Sequence, residues 1–143
     1  IISGNDLSLT GDYILSEEPR KIEKKTFTAQ NLISWWNKNG HIVSYQACEI
    51  SLNNNFEGIE VRLIKSEPGT NDTWYLIGVK QKNMAGSYSV LPRKFSTYTD
   101  PLKDWFNTTT QNFNRTAQII SLIKPAEMNN NNLPIIKGMV EVS

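Results

Sequence analysis

The sequence is poor in the residues that most often carry chemistry. It holds one cysteine and one histidine among 143 residues. A single cysteine excludes an intramolecular disulfide, and one cysteine with one histidine are too few for a Cys/His zinc site. The eight glycines are scattered, and neither G-x-G-x-x-G nor the phosphate-loop pattern occurs. These absences predict no metal, no cofactor and no enzymatic activity.

Long apolar runs and a charge of one sign are also lacking. No run approaches the roughly 18 consecutive apolar residues of a membrane helix. Fifteen Lys and Arg residues balance fourteen Asp and Glu residues, for a net charge of +1. A nucleic-acid-binding domain usually has a strongly basic face, so we expect no nucleic-acid partner. The hydrophobic share of 38% is enough for one folded domain of this length.

The ends of the sequence suggest a piece of a larger protein. The first residue is Ile1 instead of Met, and the last residues, from Gly138 to Ser143, have a strand pattern without a tail. We therefore expect a parent protein with an anchor or a further domain outside this piece. Residues 1–26 are predicted to be an N-terminal extension or linker, with one short strand within residues 7–15.

Two segments have a helical pattern. Thr28 is a favourable N-cap, and the apolar residues that follow it are spaced along one face of a helix over about 28–38. Gly40 is expected to end that helix. A second helix is predicted to begin at Asp100-Pro101, with Asp as the N-cap and Pro in the first turn, and its stripe extends towards Phe113.

Alternating apolar residues predict the strands. Ile59, Val61 and Leu63 alternate with Glu60 and Arg62, which is typical of a strand with one buried face. The same reasoning predicts strands over 41–52, 74–80, 87–91, 116–124 and 135–142. The pair 74–80 and 87–91 is predicted to form an antiparallel hairpin.

The order of these elements repeats. A helix, a strand, an Asn-rich loop and a further strand occur first over 27–66 and again over 100–143. We therefore predict one α+β domain over 27–143, in which two α-β-β halves form an antiparallel sheet with both helices on one face. That is a ferredoxin-like arrangement in circularly permuted order. Residues 73–91 are predicted to be an inserted hairpin.

This pattern resembles the periplasmic domains of PilN/PilO- and GspL/GspM-type proteins. These bitopic inner-membrane proteins belong to the bacterial assembly platforms of type IV pili and type II secretion. The two helix starts and the final strand, Gly138 to Val142, carry the resemblance. It implies a non-catalytic scaffold in the periplasm, with protein partners such as a second copy of itself or a related subunit, and a membrane-anchored parent.

Aromatic side chains are the candidate interaction residues. Adjacent aromatic pairs on a helix point about 100° apart, so one of each pair is expected in the core and the other near the rim. Trp36 is assigned to the core, and Trp35 is the candidate for exposure; the alternative is that both side chains lie in the core. Trp74 and Tyr75 open a strand and point to opposite sides of it. The candidates for contact with a partner are therefore Trp35, Trp74, Tyr75 and Trp105.

Two alternatives follow from other residues. A carbohydrate-binding or adhesin module would use Trp35, Trp74 and Tyr75 as stacking surfaces. A small pocket protein of the NTF2-like type would need His41 in a pocket beside an acid. Cys48 is predicted to be a buried, inert thiol. Three N-x-[ST] sequons, at Asn71, Asn107 and Asn114, would be glycosylation sites in a secreted protein.

Overall fold

The structure, a computed structural model, describes residues 23–143 and shows an α+β architecture. The strand predicted within residues 7–15 lies outside the described residues. Helices and strands follow one another as α1 Ala29–Asn39, α2 Tyr45–Asn55, β1 Ile59–Ser66, β2 Trp74–Gln81, β3 Tyr88–Pro92, α3 Leu102–Trp105, β4 Phe106–Thr108, β5 Ile119–Lys124, β6 Ala126–Met128, β7 Pro134–Ile136 and β8 Gly138–Val142.

The first helix, α1, is the one that the sequence predicts. Thr28 caps it, because its Oγ1 accepts a hydrogen bond of 3.1 Å from the backbone N–H of Asn31. The helix ends before Gly40, as expected, but Gly40 is not left-handed (φ −65°). A Cβ on Gly40 would lie 2.7 Å from the carbonyl oxygen of Trp36 and 2.9 Å from its indole. The backbone and the buried ring of Trp36 together therefore leave no room for a side chain at this position.

The second helix, α2, replaces a predicted strand. The strand expected over 41–52 is wrong: Ser44 caps a helix, and its Oγ accepts a hydrogen bond from the backbone N–H of Ala47. Cys48 and Leu52 are one helical turn apart and both buried. Ile50, which had completed the apparent alternation, is 57% exposed on the outer side of α2. The first half of the domain is therefore α-α-β, not α-β-β.

Five strands form the larger sheet, in the order β1-β2-β3-β6-β7, and all neighbours are antiparallel. The predicted hairpin of β2 and β3 is present, but it forms the middle of this sheet where the sequence suggested an insertion. Helix α2 packs against β1, and α1 packs against β5. The ferredoxin-like order and its circular permutation are not confirmed.

A bent hairpin joins the larger sheet to a second one, of order β4-β8-β5. Only Pro125 separates β5 from β6, and only Lys137 separates β7 from β8. Both arms of the hairpin therefore pass from one sheet into the other. The single strand predicted over 135–142 is broken at this bend, where Gly138 packs against the opposite arm and the ring of Phe106.

The second predicted helix is a single turn. It covers Leu102–Trp105, and Pro101, not Asp100, occupies the N-cap position, without a side-chain cap. Residues Phe106–Thr108 leave the helix as β4 and pair in parallel with β8. The low helix propensity of the Asn- and Thr-rich segment that follows agrees with this early end. The extension towards Phe113 is therefore wrong.

Candidate functional site

Three of the four aromatic candidates lie in the core. Trp74 is fully buried, Trp35 is 4% exposed and Trp105 is 7% exposed. The predicted exposure of Trp35 is wrong because α2 covers it: its Nε1 donates a 3.0 Å hydrogen bond to Ser51 Oγ on that helix. Since Trp36 is buried as well, none of the four tryptophans offers an open stacking surface.

The fourth candidate, Tyr75, lines an open cleft. This cleft, which we call the Tyr75 cleft, has a volume of about 390 Å³ and is lined by residues 65–68, Tyr75 and residues 99–101. Small-ligand pockets usually measure about 300–1,000 Å³, so the cleft has room for a small ligand. The structure brings Tyr75 together with two turns that are far apart in the sequence.

The walls of the Tyr75 cleft are held by hydrogen bonds. The hydroxyl of Tyr75 donates to the carbonyl of Thr97 at 3.2 Å, which fixes the half-buried ring. On the neighbouring strand β1, Ser66 Oγ donates to the carbonyl of Thr70 at 2.6 Å. The backbone N–H of Glu67 donates to the carbonyl of Thr73 at 2.9 Å. A ligand would therefore meet walls that are largely ordered beforehand.

The charges around the Tyr75 cleft balance. Arg93 Nη2 donates to Glu67 Oε1 at 2.7 Å, so this carboxylate has a cation beside it. The side chains of Lys65 and Asp100 are exposed and carry opposite charges. The cleft therefore presents hydrogen-bond donors and acceptors without a net charge that would select an anion or a cation.

Sequence reasoning missed most of this site. The segments Pro68-Gly69 and Asp100-Pro101 carry signals for a turn and for a helix start, and no local pattern says that they face one another. A smaller hollow of about 130 Å³ lies beside Phe27 and the turn over 82–87. His41 is exposed and lines neither of these two concavities.

A second polar cluster surrounds the buried ring of Tyr88. The ring of Tyr88 is 2% exposed and lies 4.5 Å from the guanidinium carbon of Arg62. The hydroxyl of Tyr88 donates to Glu60 Oε2 at 2.8 Å. Burial, and then the hydrogen bond to Glu60, raise the pKa of Tyr88. Arg62 also donates to Asn132 Oδ1 at 2.7 Å, so the cluster fastens the turn after β6 to β1.

The thiol of Cys48 is buried, as expected, although it lies on a helix and not on a strand. It is 0% exposed on α2. Burial, with the nearby carboxylate of Glu49 as a smaller cause, raises the pKa of Cys48 from 9.0 to about 12. Because the thiolate is the nucleophile, this thiol is unreactive near neutral pH.

We expect iodoacetamide at pH 8 to leave Cys48 unmodified in the folded protein and to alkylate it fully in denaturant. The measurement is intact-mass spectrometry over time. Burial also keeps Cys48 protonated in the folded state. The contribution of this group to the free energy of unfolding is therefore fully present below pH 9 and is lost as the pH rises towards 12. A C48A variant should lose less stability than the unchanged chain over that interval. Rapid alkylation without denaturant would contradict the burial.

The sequon residues Asn71, Asn107 and Asn114 are all exposed. Among residues 23–143, no group of three or more His, Cys, Asp or Glu side chains could hold a metal ion. No helix in that range is long and apolar enough to span a bilayer. In comparisons with known proteins, no family model, no curated protein and no solved structure matches the chain.

Proposed function

We propose that this chain is a non-catalytic interaction domain that associates with a second copy of itself. The observation that carries the proposal is an exposed apolar patch at one end of the larger sheet. Leu133, Ile135 and Ile136 are 57%, 56% and 42% exposed. Ile135 and Ile136 are neighbours on strand β7 and point to opposite sides of it, so the three residues surround the edge of the sheet, and we call them the β7 patch. The other exposed apolar side chains of the described residues are more scattered along the chain, which is ordinary for a protein surface.

The β7 patch is suited to contact between side chains. Strand β7 is an edge strand of three residues, and its pairing with β6 contains a register shift. Pro134 has no backbone N–H to donate to a further strand. Short edges with proline resist the addition of a strand, so the backbone of β7 is a poor template. The aliphatic side chains remain available to pack against another apolar surface.

A second copy fits the chemistry around the β7 patch. Lys137 follows the patch in the chain, and the half-buried Glu127 on β6 lies opposite Ile136, where its Oε1 accepts a 3.0 Å hydrogen bond from Ser87 Oγ. In the described part of the chain these two residues make no ion pair with each other. A two-fold contact presents the same surface from both sides, so each copy can offer aliphatic groups to aliphatic groups and opposite charges to Lys137 and Glu127.

The double variant I135S/I136S should abolish self-association that the unchanged chain shows at high concentration. The physical reason is the loss of most of the apolar area of the β7 patch. Sedimentation velocity over a concentration series measures the effect. The matched control is I50S, because Ile50 is equally exposed (57%) but lies on α2. A chain that stays monomeric throughout, or a double variant that dimerises like I50S, would overturn the proposal.

The wider role that we propose is a scaffold outside the cytoplasm, in the periplasm, within a pilus or secretion assembly platform. It is supported by a patch suited to self-association. The circularly permuted ferredoxin-like arrangement belongs to the same proposal, and the α-α-β order of the first half counts against it. The flanking coding sequence tests the role: a membrane segment just before Ile1 supports an anchored scaffold, and its absence contradicts one.

A further inference from the structure

We propose that the Tyr75 cleft binds a neutral saccharide of one or two rings. This inference is independent of the β7 patch, because the cleft lies between β1, β2 and the segment before α3. It would add a ligand-binding role to the interaction domain, so either proposal can fail while the other stands.

The apolar part of the cleft suits a sugar ring. Tyr75 is half-buried and its hydroxyl is held by Thr97, so one aromatic ring is fixed in the wall. Pro68 and Pro101 add rigid apolar surface from the two turns. Aromatic rings offer large contact area at low entropic cost, and the C–H groups of a pyranose match such a surface.

The polar part of the cleft favours a neutral ligand with many hydroxyl groups. Lys65 supplies donors, and Asp100 supplies acceptors. Glu67 is already neutralised by Arg93, so its outer lone pairs can accept from a hydroxyl without attracting a free cation. A phosphate would meet the Asp100 carboxylate, and an amine would meet Lys65. Hydroxyl groups, which both donate and accept, satisfy all of these partners.

The test is saturation-transfer NMR of the 143-residue chain with a panel of neutral mono- and disaccharides, including glucose, galactose, mannose, N-acetylglucosamine, cellobiose and lactose. Glycine and inorganic phosphate serve as the charged probes. We expect binding of at least one sugar and of neither charged probe. The Y75A variant should weaken that binding by about tenfold or more, since it removes the stacking surface. The Y75F variant keeps the ring and should bind within about threefold of the unchanged chain.

Two further variants make the outcome decisive. D100N changes an exposed side chain, so it should fold normally, and it should weaken sugar binding even if Y75A does not fold. M84A lies beside the smaller hollow and should leave binding unchanged. The proposal is overturned if no sugar binds at millimolar concentration or if glycine or phosphate binds in place of sugar. Sugar binding that neither D100N nor a folded Y75A weakens would overturn it as well.

Discussion

Replacing Trp36 by alanine is expected to lower the free energy of unfolding by about 3–5 kcal/mol, the range for truncating a buried aromatic residue. Trp36 is completely buried where α1 packs on the sheets. Its Nε1 donates a 2.7 Å hydrogen bond to the carbonyl of Pro92, at the end of β3. The alanine variant therefore loses apolar burial, leaves a cavity and deprives that buried carbonyl of its donor. Because domains are commonly stable by only about 5–15 kcal/mol, this loss is large.

Guanidinium unfolding followed by circular dichroism measures the effect of W36A. The W36F variant keeps an aromatic ring without the N–H group, so we expect it to lose less stability than W36A. The matched control is S34A, because Ser34 is exposed on the same helix and its replacement should change stability by no more than about 0.5 kcal/mol. A loss below about 1 kcal/mol for W36A would show that the indole does not pack as described.

The G138A variant should lower the free energy of unfolding by about 1–3 kcal/mol or more, because it overpacks a closed site. A Cβ at this position would lie 2.6 Å from the backbone nitrogen of Ala126 and 2.7 Å from the ring of Phe106, and it would also contact the carbonyl oxygen of Lys124. Backbone atoms of the opposite arm cannot rotate away as a flexible side chain can. The hairpin must therefore open at its bend to accept even a methyl group.

Thermal and guanidinium unfolding of G138A, compared with K137A, isolates this steric effect. Lys137 is the exposed residue at the same bend, and its truncation should leave the transition nearly unchanged. Equal stability of G138A and the unchanged chain would mean that the two arms are farther apart than the structure places them.

Local signals account for the elements that the sequence predicts correctly. Helix α1 has both a capping residue and a regular apolar stripe, and this combination predicts a helix. The alternation of apolar and charged residues at the start of β1 predicts a strand. Helix α2 has no regular apolar stripe. Ile50 lies between Cys48 and Leu52 in the sequence and faces solvent, so the three residues imitate the alternation of a strand. Its usable signal was the cap: Ser44 stands one residue before Tyr45, where the helix begins.

Long-range contacts account for what the sequence could not predict. Trp35 is buried because α2 packs over its indole. The sequence predicts a strand in place of α2, so it gives no sign that this side chain is covered. The Tyr75 cleft depends on two turns about 30 residues apart, as the spacing of Pro68 and Pro101 shows. Of the cleft residues, only Tyr75 could be named beforehand, because it follows Trp74 on a strand and so points to the opposite side of it.

The bend in the hairpin of β5 to β8 also bears on how the chain unfolds. Only one residue joins the successive strands in each arm of the hairpin. The strands of one sheet therefore cannot separate without displacing the strands of the other. The two sheets therefore have no independent route to melting, and we expect them to form one cooperative unit. One unfolding transition is therefore expected for residues 106–142, even though their strands belong to two sheets.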